Sequence, residues 1–262
     1  MPDPRFQLSL AAWSVHRMFR DRQIDQLGMV DLCHQMGIGG LEMVNTFFPS
    51  PQYAYLKQLR KRADDAGVKL LLIMCDGEGS MAGPERASRL QAAKNHHKWV
   101  DVAAVLGCHS IRCNTGAQDG DPDALDRCAE SFAALVEYAD AAGVNVLIEN
   151  HWGLSSDPAW LMALMDRVGH PRFGTLPDFG NFPDTIDRYD AVARMMPRAK
   201  AVSAKCYDFD AAGDETKIDF ARMMAIVGEA GYTDYVGIEY EGERLPEREG
   251  ILACKALLER YR

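Results

Sequence analysis

The chain has 262 residues, with 29 Lys and Arg against 38 Asp and Glu, a formal charge of −9, and 47% hydrophobic and 26% charged residues. This is the balance of a folded globular chain, too apolar for intrinsic disorder and long enough for a sizeable core. Neutralising nucleic-acid phosphates takes a clustered excess of Lys and Arg, so the charge argues against a nucleic-acid partner.

No apolar run approaches the roughly 18 residues of a bilayer span, so no membrane partner is expected. The opening Met1-Pro2-Asp3-Pro4-Arg5 lacks the charged-then-apolar pattern of a secretory signal. Seven cysteines (Cys33, Cys75, Cys108, Cys113, Cys128, Cys206, Cys254) are widely spread without a CxxC pair. They read as small apolar core residues in a reduced, cytoplasmic protein, not as a disulfide framework or a zinc site.

Short apolar runs alternate with longer amphipathic ones. The first strand is predicted over Gln7 to Ala12 and a helix over Gln23 to Met36, followed by strand Gly40 to Asn45 and helix Pro51 to Ala66. Val68 to Cys75, almost wholly apolar, reads as a parallel strand buried on both faces. Helix Pro84 to Leu106, strand His109 to Asn114, helix Pro122 to Ala142 and strand Val144 to Glu149 continue the rhythm. Asp157-Pro158 supplies an N-cap and first-turn proline for a helix to Val168. Strand Phe173 to Asp178, helix Ile186 to Met196, strand Ala201 to Tyr207 and helix Asp219 to Ala230 come next, then strand Tyr235 to Tyr240 and helix Pro246 to Tyr261. Glycines such as Gly67, Gly107 and Gly169 close helices just ahead of strands, as in αβ loops.

Eight strand–helix units in this length predict a single-domain (β/α)8 TIM barrel over residues 1–262. A doubly wound sheet would carry a Gly-rich phosphate loop after its first strand, whereas Trp13-Ser14-Val15-His16-Arg17 has no glycine.

In such a barrel the C-terminal strand ends share one mouth, where enzymes of this architecture work. The polar residues falling there are Trp13 and His16; Glu42 and Asn45; Asp76; Arg112 and Asn114; Glu149 to Trp152; Asp178 and Asn181; Ser203 and Lys205; Glu239 and Glu241. Glu149, Asp178 and Glu239 each follow an apolar stretch of barrel wall, where a carboxylate is costly unless neutralised. Converging carboxylates either rise in pKa, pair with Arg or Lys, or hold a divalent cation, for which oxygen ligands favour Mg2+ or Mn2+.

Lys205 shares the face of Ser203 and either holds a substrate oxyanion or neutralises a carboxylate. His151 shares the side of Glu149 and either contacts substrate hydroxyls or hydrogen-bonds behind a carboxylate. Glu42 and Arg112 form a structural pair or bind substrate. Trp13 and Trp152 stack on a sugar face or pack in the core, the core being expected for each alone. His96 and His97 are expected to face solvent, while Trp160, Met162 and Met165 are core.

At Leu147-Ile148-Glu149-Asn150-His151, Pro177-Asp178-Phe179-Gly180-Asn181, Val202-Ser203-Ala204-Lys205 and Gly237-Ile238-Glu239 the chain resembles the sugar phosphate isomerase/epimerase superfamily, the xylose isomerase-like barrels. That resemblance implies a divalent metal held by Glu149, Asp178 and Glu239, but the usual strand-7 histidine is replaced by Ser203. Mg2+ or Mn2+ on three carboxylates is the expectation, and a metal-free site with Lys205 supplying the positive charge is its alternative. Asn181 stands where metal-dependent apurinic endonucleases of the same superfamily carry a further histidine, which argues against a trinuclear zinc site.

The implied activity is isomerisation or epimerisation of a small sugar or derivative, with Glu149 and Glu239 passing a proton through an enediolate. Lys205, His151, Asn181, Ser203, Glu42, Arg112 and Trp13 are the candidate substrate contacts. A lyase dehydrating a keto-polyol and a non-catalytic sugar-binding barrel are the rivals. Barrels of this type often pair through helix faces or rim loops, so a homo-oligomer is an open expectation.

Overall fold

The apolar runs form eight parallel strands: β1 (Gln7–Ala11), β2 (Gly40–Val44), β3 (Lys69–Cys75), β4 (Ser110–Cys113), β5 (Asn145–Glu149), β6 (Phe173–Leu176), β7 (Val202–Cys206) and β8 (Tyr235–Tyr240). In a computed structural model, which describes residues 5–262, they lie in the order β6-β5-β4-β3-β2-β1-β8-β7. The sheet closes on itself where Thr175 bridges Ala199 and Asp178 bridges Ser203, both parallel. The opening Met1 to Pro4 lies outside the described residues.

The helices are α1 (His16–Arg20), α2 (Gln26–Gln35), α3 (Tyr53–Ala66), α4 (Arg86–Leu106), α5 (Ala124–Ala141), α6 (Pro158–Val168), α7 (Arg188–Met195), α8 (Phe220–Glu229) and α9 (Glu247–Leu258). They cover the outside of the strands, while side chains from opposite strands fill the inside. This double covering is why β2, β4, β7 and β8 are buried at every position. None of the described helices is long and apolar enough to cross a membrane.

Local chemistry sets the boundaries. Asp25, Asp157, Asp187 and Asp219 cap α2, α6, α7 and α8 by accepting first-turn backbone N–H groups. Gly67, Gly107 and Gly169 adopt left-handed backbone at the ends of α3, α4 and α6. Pro51, Pro84 and Pro122 precede the caps and do not occupy the first turn, so these helices start two residues later than the pattern predicts. β6 stops at Leu176 because Pro177 has no N–H to continue the ladder. The short α1 after β1 has no counterpart in the sequence reading.

All seven cysteines are free and buried, as expected of core thiols. His96 is a correction: it is 2% exposed, with Nδ1 against the Ala92 carbonyl at 2.8 Å, on the buried face that α4 builds from Ala92, Trp99 and Ala103.

Candidate active site

Glu149 is the last residue of β5, Glu239 lies near the end of β8, and Asp178 follows β6. One carboxylate oxygen from each lies within 4.8 Å of the others, and all three are buried. Asp178 is fixed from both sides. Its Oδ1 accepts the backbone N–H groups of Gly180 and Asn181, both at 2.7 Å, while its Oδ2 meets the Ser203 hydroxyl at 2.8 Å.

Ser203 also lies 2.7 Å from Glu239 Oε2. A hydroxyl has one proton and here touches two carboxylate oxygens. The arrangement is satisfied when one of the two acids carries a proton or when a cation takes over part of the charge.

Two cations face this group. Lys205 Nζ is 3.2 Å from Glu239 Oε1, 3.1 Å from Glu241 Oε2 and 3.8 Å from Asp178 Oδ2. Burial works against its ammonium, but Asp178, Glu239 and Glu241 outweigh burial and raise its pKa above the ordinary lysine value. Arg112 Nε sits 2.9 Å from Glu149 Oε2 without hydrogen-bonding geometry, so both atoms are buried and unpartnered.

Burial pushes Glu149 up to about 8 against the pull of Arg112, and Asp178 up to about 6 against that of Lys205. For Glu239, Lys205 and the bond from Ser203 overcome burial and lower the pKa.

The site is therefore short of positive charge. Among the described residues, Asp76, Glu149, Asp178, Glu239 and Glu241 surround two cations, Arg112 and Lys205, and Glu149 Oε2 accepts no hydrogen bond although Arg112 Nε lies 2.9 Å from it. An all-oxygen donor set with a buried carboxylate oxygen that accepts no hydrogen bond fits a hard divalent cation. The serine hydroxyl is a weak fourth donor beside it.

Above the triad the rim is a hydrogen-bonded chain. Asp76 Oδ1 accepts from Arg112 NH1 at 2.9 Å and from Asn114 Nδ2 at 2.8 Å. That orients Asn114 with Oδ1 toward His151 Nδ1, 3.0 Å away. His151 Nδ1 consequently carries the hydrogen, and Nε2 is left as an acceptor. Burial, with Arg112 and Lys205 nearby, pushes His151 down to about 4, so the ring is neutral at pH 7.

A cavity of about 590 Å³ opens over these groups and is lined from every strand end except that of β2. It brings together Trp13, Arg112, His151, Asn181, Lys205 and Glu239, with Glu149, Asp178 and Ser203 bonded directly behind them. Asn181 Nδ2 donates to Glu149 Oε1 at 3.0 Å. Trp13 is half-buried, stacked between His16 and Phe47.

Glu42 is the exception among the predicted contacts. It lies a layer deeper, accepts from Ser9 Oγ at 2.6 Å and fills the space that a Cβ on Gly237 would need. Burial pushes it up to about 7. The predicted Glu42–Arg112 pair does not form, since Arg112 is engaged by Asp76 and Glu149. Trp152 is not core: it is 71% exposed at the cavity rim.

Asp76, Asn114 and Glu241 fall at the mouth in the sequence but receive no role there, although each lines the cavity. Tyr207 also lines it but carries no signal in the sequence, because its position just past β7 reads simply as the end of an apolar run.

A larger groove of about 1150 Å³ runs between α1, α2 and Phe47 to Pro49. It holds none of the clustered carboxylates, so the chemistry belongs to the smaller cavity.

The chain belongs to the xylose isomerase-like TIM barrel family, whose sequence pattern matches residues 30–260. Among solved structures it is similar to L-ribulose 3-epimerase, with a TM-score of 0.80 and 15% identity over 97% of this chain and 94% of that one. D-allulose 3-epimerase from Methylomonas sp. superposes with a TM-score of 0.79 at 11% identity, covering 99% of each chain. The probable 3-DHS dehydratase AsbF from Bacillus anthracis gives a TM-score of 0.74 at 14% identity over 97% of this chain and 98% of that one.

Proposed function

We propose that the protein isomerises or epimerises a small sugar or sugar derivative by moving a proton between Glu149, Glu239 and a carbon next to a carbonyl. The observation that carries this reading is the meeting of Glu149, Asp178 and Glu239 within 4.8 Å beneath a polar cavity. One glutamate takes the proton and leaves an enediolate; the other returns a proton to the neighbouring carbon or to the opposite face of the same one. Lys205 and Arg112 face the developing oxyanion as cations. His151 accepts a substrate hydroxyl at Nε2, and Asn181 holds Glu149 in place.

Glu149, Asp178 and Glu239 would hold a Mg2+ or Mn2+ ion, which supplies Lewis-acid polarisation of the carbonyl and adjacent hydroxyl. The family membership and the likeness to two sugar epimerases support the assignment.

Glu149→Gln and Glu239→Gln test it. Each should slow exchange of substrate C–H with D2O by about 10²–10⁴-fold while leaving the circular dichroism spectrum unchanged. Exchange at the wild-type rate in both variants would reject the reading.

A second reading, dehydration through the same enolate, is favoured by the likeness to the probable dehydratase AsbF. It is distinguished by a product lighter than the substrate by one water.

A further inference from the structure

The groups able to grip a reacting carbonyl compound (Arg112, Lys205, Glu239 and His151) line the cavity together with Trp13, Trp152 and Tyr207. At about 590 Å³ it has room for roughly 20 water-sized groups. One hexose, with roughly a dozen non-hydrogen atoms by the same water-sized measure, fills only part of it.

The cavity rim carries Trp152, 71% exposed, whereas Trp99 is 7% exposed. This exposure is not that of a loosely held loop. Ser155 Oγ accepts from the backbone N–H groups of His151 and Trp152, both at 3.2 Å, and donates to the Trp152 carbonyl at 2.8 Å. Gly153, with φ +56°, presses so closely on the Ala117 carbonyl that a Cβ would collide with it. Leu154 donates its N–H to that same carbonyl at 3.3 Å.

The backbone is thus pinned on both sides of Trp152 while the indole stays in water, although burying an aromatic of this size is ordinarily strongly favourable. The indole stands beside the His151 ring, with centroids 5.0 Å apart.

We infer that the site takes a ketose carrying a second ring, and that Trp152 is the platform on which that ring stacks. This rests on the carbohydrate reading above and adds the substrate class. The first ring occupies the polar part of the cavity. The second is linked through a hydroxyl remote from the carbonyl and lays its apolar face on the indole.

Calorimetric titration of the full chain with D-fructose, lactulose and isomaltulose tests the inference, because the two disaccharides attach a pyranose to the same ketose. Wild type should bind at least one disaccharide about tenfold more tightly than D-fructose. Trp152→Ala should erase that preference, and Trp152→Phe should keep most of it. D-Fructose binding with no preference, or a preference that survives Trp152→Ala, overturns the inference and leaves the proposed function standing. Failure of all three sugars to bind overturns the inference, whereas the proposed function stands or falls on the exchange measured for Glu149→Gln and Glu239→Gln. A dimer in sedimentation that Trp152→Ala dissolves would show the indole covered by a second copy, which also overturns the platform.

Discussion

Asn150 holds Asp178 by both of its backbone polar groups: Asn150 Oδ1 accepts the Asp178 N–H at 2.8 Å, and Asn150 Nδ2 donates to the Asp178 carbonyl at 3.0 Å. Asn45 does the same for Asp76, with both distances 2.9 Å. Asp76 directly follows β3 and Asp178 lies two residues beyond β6, and in each case a side-chain amide from the preceding strand end takes the place of a neighbouring peptide. The site's aspartates are therefore positioned through their backbone as well as through their carboxylates.

Removing one such amide leaves a buried N–H and a buried carbonyl without partners. Asn150→Ala should lower stability by about 2–3 kcal/mol in urea denaturation. It should also weaken Mn2+ binding, because Asp178 loses its register. Unchanged stability and unchanged Mn2+ affinity would refute the clamp.

Ser203 places the only proton of its hydroxyl between Asp178 and Glu239. Ser203→Ala should cost about 2 kcal/mol in EDTA, the range for hydrogen bonds to charged groups. In saturating Mn2+ the loss should be smaller, because the ion neutralises the same two carboxylates. Thermal melts with and without metal give the comparison, and an identical loss in both would count against a cation at this position.

Lys205 is buried against three acids, so deleting its charge should do more than deleting a bond. Lys205→Met should lose about 3–5 kcal/mol at pH 8, where Glu239 and Asp178 are left uncompensated. At pH 5.5 the deficit should shrink, since carboxylates relieved of their cation protonate more readily. A deficit independent of pH would mean that the lysine stem, not its ammonium, supports the fold.

The barrel and most of the rim were legible because two simple periods carry them. Apolar strand cores give way to polar residues at their C-terminal ends, and alternation places Ser203 with Lys205 and Glu149 with His151. The depth of Glu42 was not legible. A register irregularity between β2 and β3 falls at Leu41/Glu42, and it is barrel stagger that turns Glu42 toward Ser9 and Gly237 instead of Arg112. Trp152 looked like core because nothing in its residue type announces that the turn at Gly153 leaves it uncovered. His96 could have been found: Ala92, His96, Trp99 and Ala103 recur at helical spacing and form one buried face.

Glu42 and His151 bend the pH dependence of stability in opposite directions. Burial raises Glu42 to about 7, so the folded chain holds a proton that the unfolded chain has lost. Its contribution is present at low pH and falls as pH rises from the ordinary carboxylate value to about 7. Burial lowers His151 to about 4, so between pH 4 and 6.5 the unfolded chain binds the extra proton, and stability rises with pH over that window. Each amounts to at most about 3 kcal/mol, and Glu149 and Asp178, raised to about 8 and about 6, add to the Glu42 side, so wild-type stability should decline overall as pH rises through this range. Relative to wild type, Glu42→Gln should flatten the decline of stability between pH 4.5 and 7, and His151→Gln should steepen the decline between pH 4 and 6.5. Urea denaturation across pH 4–8 reads both slopes, and parallel profiles for the two variants would show that neither group titrates as its burial requires.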